Sequence, residues 1–252
     1  MSRFLNLEGS EPYRLFAAVL RRSRLGIKAA YDAAFAADAR CNKMMDDERL
    51  LNARSQPFAF PMFRDDVEYD PSTAADVAER RAELWAEAQA EDLQAEFQAS
   101  IVVYWADDTL RRFERAVLER QPTLATGYGP TYGEHVPLTT LLRAGTNTAR
   151  HVSEWDDDPD LRFPYDSTTA TTTAAKQAYR NIEILQRAFG IGKNEPVREP
   201  ACWRILVAVD GLLGTHKPEY ARFEAAVIEA AGEIAQAAGG DALMRLETEL
   251  AR

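Results

Sequence analysis

Apolar positions recur at three- and four-residue intervals along most of this chain. That is the period of amphipathic α-helices rather than the two-residue alternation of strands. The clearest case is Pro137 to Trp155. On a helical projection Leu138, Leu141, Leu142, Gly145, Ala149, Val152 and Trp155 form one broad apolar arc. Arg143, Asn147, Arg150, His151 and Glu154 fall opposite, within an arc of about 100°. Pro137 suits a first helical turn, where its missing N–H costs nothing, and Asp156 to Pro159 end the segment.

The same period predicts the other helices. Ser10, Glu11 and Pro12 open one running from about Tyr13 to Cys41, with Leu15, Val19, Ile27, Tyr31 and Phe35 in its stripe. Ser72 and Thr73 start a long one through about Gln121. Asp107 and Asp108 mark a point where it could break, and the strand-like run Ile101 to Trp105 stays helical because its flanks are. Ser167 and the following threonines offer N-caps for a helix that passes Tyr179, Ile182, Leu185 and Phe189 and stops at Gly190, a C′ glycine. Pro200 to Leu213 reads as a buried central helix, with a strand as the alternative. Glu219 to Arg252 is helical, interrupted at Gly239-Gly240, with Asp241 as the next N-cap.

Between these helices, Asp46 to Pro71 holds Pro57, Pro61 and Pro71 beside Phe58, Phe60, Met62 and Phe63, and reads as an extended, partly packed connection. Thr123 to Val136, with Gly127, Tyr128, Gly129, Pro130, Tyr132 and Gly133, is loop chemistry. Nothing demands two domains. The expectation is a single all-α domain over residues 1–252, a helical bundle of five to seven helices with long central ones.

Composition strengthens this picture. Alanine, the best helix former, is abundant, and 46% hydrophobic with 28% charged residues suits a globular protein. The formal net charge of −10 removes any global basic footprint for nucleic acid. The N-terminus lacks a signal-peptide core and no apolar run approaches about 18 residues. Cys41 and Cys202 form no motif. A cytoplasmic protein away from membranes is expected.

Candidate chemistry concentrates on the Pro137–Trp155 segment. The three histidines, His135, His151 and His216, make no ExxH or HExxH pair, so no metal and no cofactor is expected. Gly190 to Lys193 lacks the phosphate-loop frame and its preceding strand. Metal-free cleavage of RNA through its own 2′-hydroxyl needs a proton shuttle near neutral pH and fixed positive charge at the phosphorane. Histidine and arginine supply these, and His151, Arg143, Arg150 and Asn147 share one face.

This helix resembles the catalytic helix of the HEPN superfamily, all-α domains often found as RNase toxins and in antiviral systems. The resemblance rests on Arg143 and His151, seven residues apart in between, with Arg150 directly before His151 and Asn147 one turn earlier. It implies a HEPN-like core over roughly 74–215 and a homodimer in which two such helices form one RNase site. His151 would move protons, Arg143 and Arg150 would neutralise the scissile phosphate, and Asn147 would orient it. The basic run Arg14, Arg21, Arg22, Arg24 and Lys28 could extend an RNA track, with Arg21, Arg24 and Lys28 on substrate, and Tyr128 or Tyr132 could stack on a base. A toxin setting implies a cognate inhibitor protein. The rival expectation is a non-catalytic helical module whose polar face binds a partner protein. The acidic net charge, and an Arg–His spacing longer than the superfamily's usual one, favour it.

Overall fold

A computed structural model describes residues 11–55, 74–156, 170–192, 201–211, 218–239 and 241–252, with the side chains of 53–55, 74–75 and 152–156 left aside. Among the described residues seven helices and one short ladder form: α1 (Glu11–Ser55), α2 (Ala74–Leu118), β1 (Thr131–Tyr132), β2 (Val136–Pro137), α3 (Leu138–Asp156), α4 (Thr173–Phe189), α5 (Ala201–Asp210), α6 (Tyr220–Ala237) and α7 (Ala242–Ala251). The all-α reading holds, and the apolar run after Pro200 is helix α5, not a strand. The chain separates into two compact units, residues 1–32 with 99–252, and residues 33–98.

In the larger unit α3 is the hub. Helices α4, α5 and α6 and strand β2 all pack on it, and every residue from Leu138 to Thr146 is buried. Gly145 makes the α5 contact feasible, because a Cβ there would collide with Cδ1 of Ile205. Helix α4 is bounded as the sequence predicts: the Thr172 hydroxyl accepts from the Ala175 N–H at 3.0 Å, and Gly190, with φ of 65°, donates its N–H to the Gln186 carbonyl. Asp241 stands at the N-cap of α7, but its side chain makes no cap hydrogen bond. Elsewhere in this unit Tyr13 and Phe16 pack on Phe113 of α2, with ring centroids 5.6 and 4.7 Å apart. Tyr31 packs on Tyr220 of α6 at 5.7 Å. Burial and the charge of nearby Glu224 push the Tyr220 hydroxyl up to about 12.

The expected loop before α3 contains a tight antiparallel hairpin, in which Thr131 faces Pro137 and Tyr132 faces Val136. It is pressed onto the C-terminal end of α4. The Glu134 N–H donates to the Arg187 carbonyl at 3.0 Å, and Gly133 (φ 52°) has the Ala188 carbonyl oxygen 2.5 Å from where a Cβ would stand. Only glycine meets both the left-handed backbone and the lack of room.

The smaller unit pairs α1 from residue 33 onward with the N-terminal part of α2. Arg40 makes a two-pronged bond with Glu91, both N–O distances 2.8 Å, and Arg81 reaches Glu48 at 2.7 Å. Numbers rise along one helix as they fall along the other, so the pair is antiparallel. These ties carry α1 fourteen residues beyond Cys41, correcting the shorter sequence estimate and taking helix into the stretch read as extended. Helix α2 runs unbroken through Asp107-Asp108 and ends at Leu118. Pro57 to Phe63 and His216 lie outside the described residues.

Candidate functional site on helix α3

The face of α3 singled out by its pattern of polar residues does not open as one surface. Arg143 is 2% exposed. Its Nη2 donates to the Glu114 carboxylate of α2, its Nη1 to the Thr123 carbonyl and, at 3.4 Å, to the Thr126 carbonyl. Its Nε stands 3.9 Å from Oδ1 of Asp107. One guanidinium thus ties α2 and the loop after it to α3. Glu114 is wholly buried and Asp107 almost so. Burial holds the Asp107 carboxyl above its ordinary value of 3.8, partly opposed by the charges of Arg111 and Arg143. Arg111 contributes a 2.9 Å bond to the same oxygen.

The other members point elsewhere. The half-buried Asn147 donates to the Asn181 side chain of α4 at 3.5 Å. Arg150 is exposed, bonds the Tyr104 hydroxyl at 2.9 Å and lies 4.7 Å from that ring's centroid, a cation–π arrangement. His151 is half-buried one residue further on. Arg143 therefore faces the protein interior, while Arg150 lies at the surface. Fixed charge aimed at a phosphorane must lie where substrate can reach it, and a guanidinium committed to a buried carboxylate and a carbonyl does not meet that requirement.

The residues proposed to extend an RNA track are occupied within the larger unit. Arg21 bonds the Glu249 carbonyl at 2.9 Å, Arg24 pairs with Glu224 at 2.9 Å and Lys28 with Asp32 at 2.5 Å. Tyr128 is integrated through its backbone: its N–H donates to the Thr139 hydroxyl at 2.8 Å, and its carbonyl accepts the Thr139 N–H. Its hydroxyl meets Arg120. Tyr132 lies half-buried in β1, where burial and Glu229 hold its hydroxyl protonated well above the usual tyrosine range.

The residues that sequence reasoning missed are Glu114 and Asp107. A signal was present. They stand two helical turns apart and alternate with Val103 and Leu110 on the same side of α2. Two carboxylates on an otherwise apolar helix side demand a buried cation, and Arg143 is that cation. No group of three or more metal-ligating side chains occurs among the described residues, and no described helix is long and apolar enough to cross a membrane. Set against protein-family models, curated protein sequences and solved structures, the chain matches none.

Proposed function

We propose that this protein is a non-catalytic helical interaction module that binds a basic amphipathic helix of a partner protein on the residue 33–98 unit. One observation carries this reading. The helix pair buries alanines, Ala34, Ala37, Ala88 and Ala95, with Leu84, and leaves larger apolar side chains outside. Trp85 is 49%, Leu93 70% and Phe97 59% exposed. Leu93 and Phe97 share an arc of about 80° on α2 with the exposed Ala82, Ala86 and Ala90, and Trp85 flanks this strip across Gln89 and Glu96. A contiguous apolar helix face of this kind marks an interaction surface.

Charge specifies the occupant. Segment 33–98 holds 15 acidic and 7 basic residues, a net −8 of the chain's −10, and Glu83, Asp92 and Glu96 border the apolar face. A helix with apolar anchors at i, i+4 and i+7 and lysine or arginine flanks complements it in both respects. A second copy presenting the same face would set acid against acid.

Titration with a synthetic leucine–lysine amphipathic peptide tests this. One-to-one binding is expected, weakening with salt and by tenfold or more in Leu93→Asp, while a leucine–glutamate peptide does not bind. Equal binding by wild type and variant would overturn the reading. A concentration-dependent dimer lost in Leu93→Asp would assign the face to a second copy instead. RNA incubated with the protein in chelator separates the endoribonuclease alternative: no cleavage is expected, and cleavage abolished by His151→Ala would reinstate the HEPN-like mechanism.

A further inference from the structure

The hairpin, the loop before it and α4 border a half-open cavity of about 260 Å³ within the larger unit, whose lining includes none of Arg143, Asn147, Arg150 and His151. Its charged wall comes from Arg180, Glu183 and Arg187 of α4 and from His135 of the hairpin. The α4 residues follow one another at three and four positions, so one helix face presents all three. Val136, Pro137 and Ile184 add an apolar floor, and Thr140 brings a hydroxyl from α3.

Three features distinguish this from a surface dimple. First, Arg180 and Glu183 have no ion-pair partner among the described residues, although opposite charges lie within reach along the helix. Both groups remain available. Second, Arg187 is oriented: its Nη2 donates to the Glu134 carbonyl at 3.0 Å and its Nε stands 3.6 Å from the Glu134 carboxylate. Third, His135 takes φ of 57°, a left-handed conformation uncommon for a side-chain-bearing residue. Such local strain concentrates at ligand-binding positions. The hairpin that imposes it is locked to α4 through Gly133.

We infer that this cavity binds a small hydroxyl-bearing phosphomonoester. The Arg180 guanidinium takes the phosphate, whose geometry and charge a guanidinium fork matches, with the His135 imidazole beside it, and Arg187 joins by exchanging its 3.6 Å contact with the Glu134 carboxylate for the phosphate. The carboxylate of Glu183 accepts a hydrogen bond from the ligand's hydroxyl, and the apolar floor takes its carbon skeleton. The volume lies just under the range of about 300–1,000 Å³ typical of small-molecule sites, so a metabolite fits and a polymer does not. The cavity is independent of the partner face on the smaller unit.

Calorimetric titration of the full chain with glycerol 3-phosphate, inorganic phosphate and glycerol tests the assignment. Saturable binding of glycerol 3-phosphate is expected, with phosphate weaker and glycerol absent. Arg180→Ala, at an exposed position where circular dichroism checks the fold, should weaken the ester at least tenfold. Glu183→Gln should narrow the preference for the ester over phosphate. No binding of either phosphate compound at millimolar concentration, or unchanged affinity in Arg180→Ala, would overturn the site. An unchanged preference in Glu183→Gln would overturn the hydroxyl contact.

Discussion

The two units follow opposite rules about what they hide. The larger one buries Tyr31, Phe223, Leu138, Leu141, Leu142, Ile205 and Leu206 at its centre, together with charge that it neutralises internally through Arg143, Glu114 and Asp107. Outside segment 33–98 the chain carries 25 acidic and 23 basic residues, close to balance. Among its described residues the smaller unit buries alanines and Leu84, shows Trp85, Leu93 and Phe97, and its segment carries most of the net charge. Burial of large side chains supplies more stabilisation per residue than burial of methyl groups. The larger unit is therefore built for stability, and the smaller one spends its apolar residues on its surface.

Substitutions can break or sharpen this contrast. The largest effect belongs to the buried pair. Arg143→Met leaves Glu114 as an uncompensated interior charge and should cost about 3–5 kcal/mol. Pairing it with Glu114→Leu should recover much of that loss, as read by urea midpoints. If Arg143 instead acted mainly on a substrate, the single change would leave stability nearly intact. Next, Leu141→Ala opens a cavity at a fully buried position of α3 and should cost about 2–5 kcal/mol. A loss under about 1 kcal/mol by the same measurement would show a looser core than the packing indicates.

A smaller effect concerns pH. Burial raises the Asp107 carboxyl, so the folded state holds that proton more tightly than the unfolded chain. Stability contributed by this group is therefore greatest in acid and falls as pH rises from about 4 through the raised value. Asp107→Asn removes the titration, so the stability difference between wild type and variant should shift over that interval and be flat above it. An identical pH slope in both proteins would contradict the assignment. The smallest effect belongs to the other unit. Leu93→Ala, at an exposed position, should change stability by no more than about 0.5 kcal/mol while weakening peptide binding. A large stability loss there would show that the face is structural.

How far the sequence could be read follows from these interactions. Helices α3, α4 and α5 were legible because their stripes and end signals are local: Thr172 and Gly190 act on backbone groups within a turn. The extension of α1 to Ser55 was not, because Arg40 and Glu48 meet partners 51 and 33 residues away. The inward turn of Arg143 escaped a projection that equates polar with exposed. Its acceptor, Glu114, lies 29 residues earlier on another helix. The cavity escaped too, because His135 and Arg187 are more than fifty positions apart.

Local pattern and composition by themselves determined that the chain is helical, where most helices end, and that acidic residues outnumber basic ones. Those properties depend on periodicity, capping and counting, which act within a few residues. Tertiary structure alone decided which side of α3 is interior, that Arg143 is buried against Glu114, and that α2 turns Trp85, Leu93 and Phe97 outward while burying Leu84, Leu110 and Phe113. Burial is a property of the neighbours a residue acquires, and those neighbours are remote in the chain.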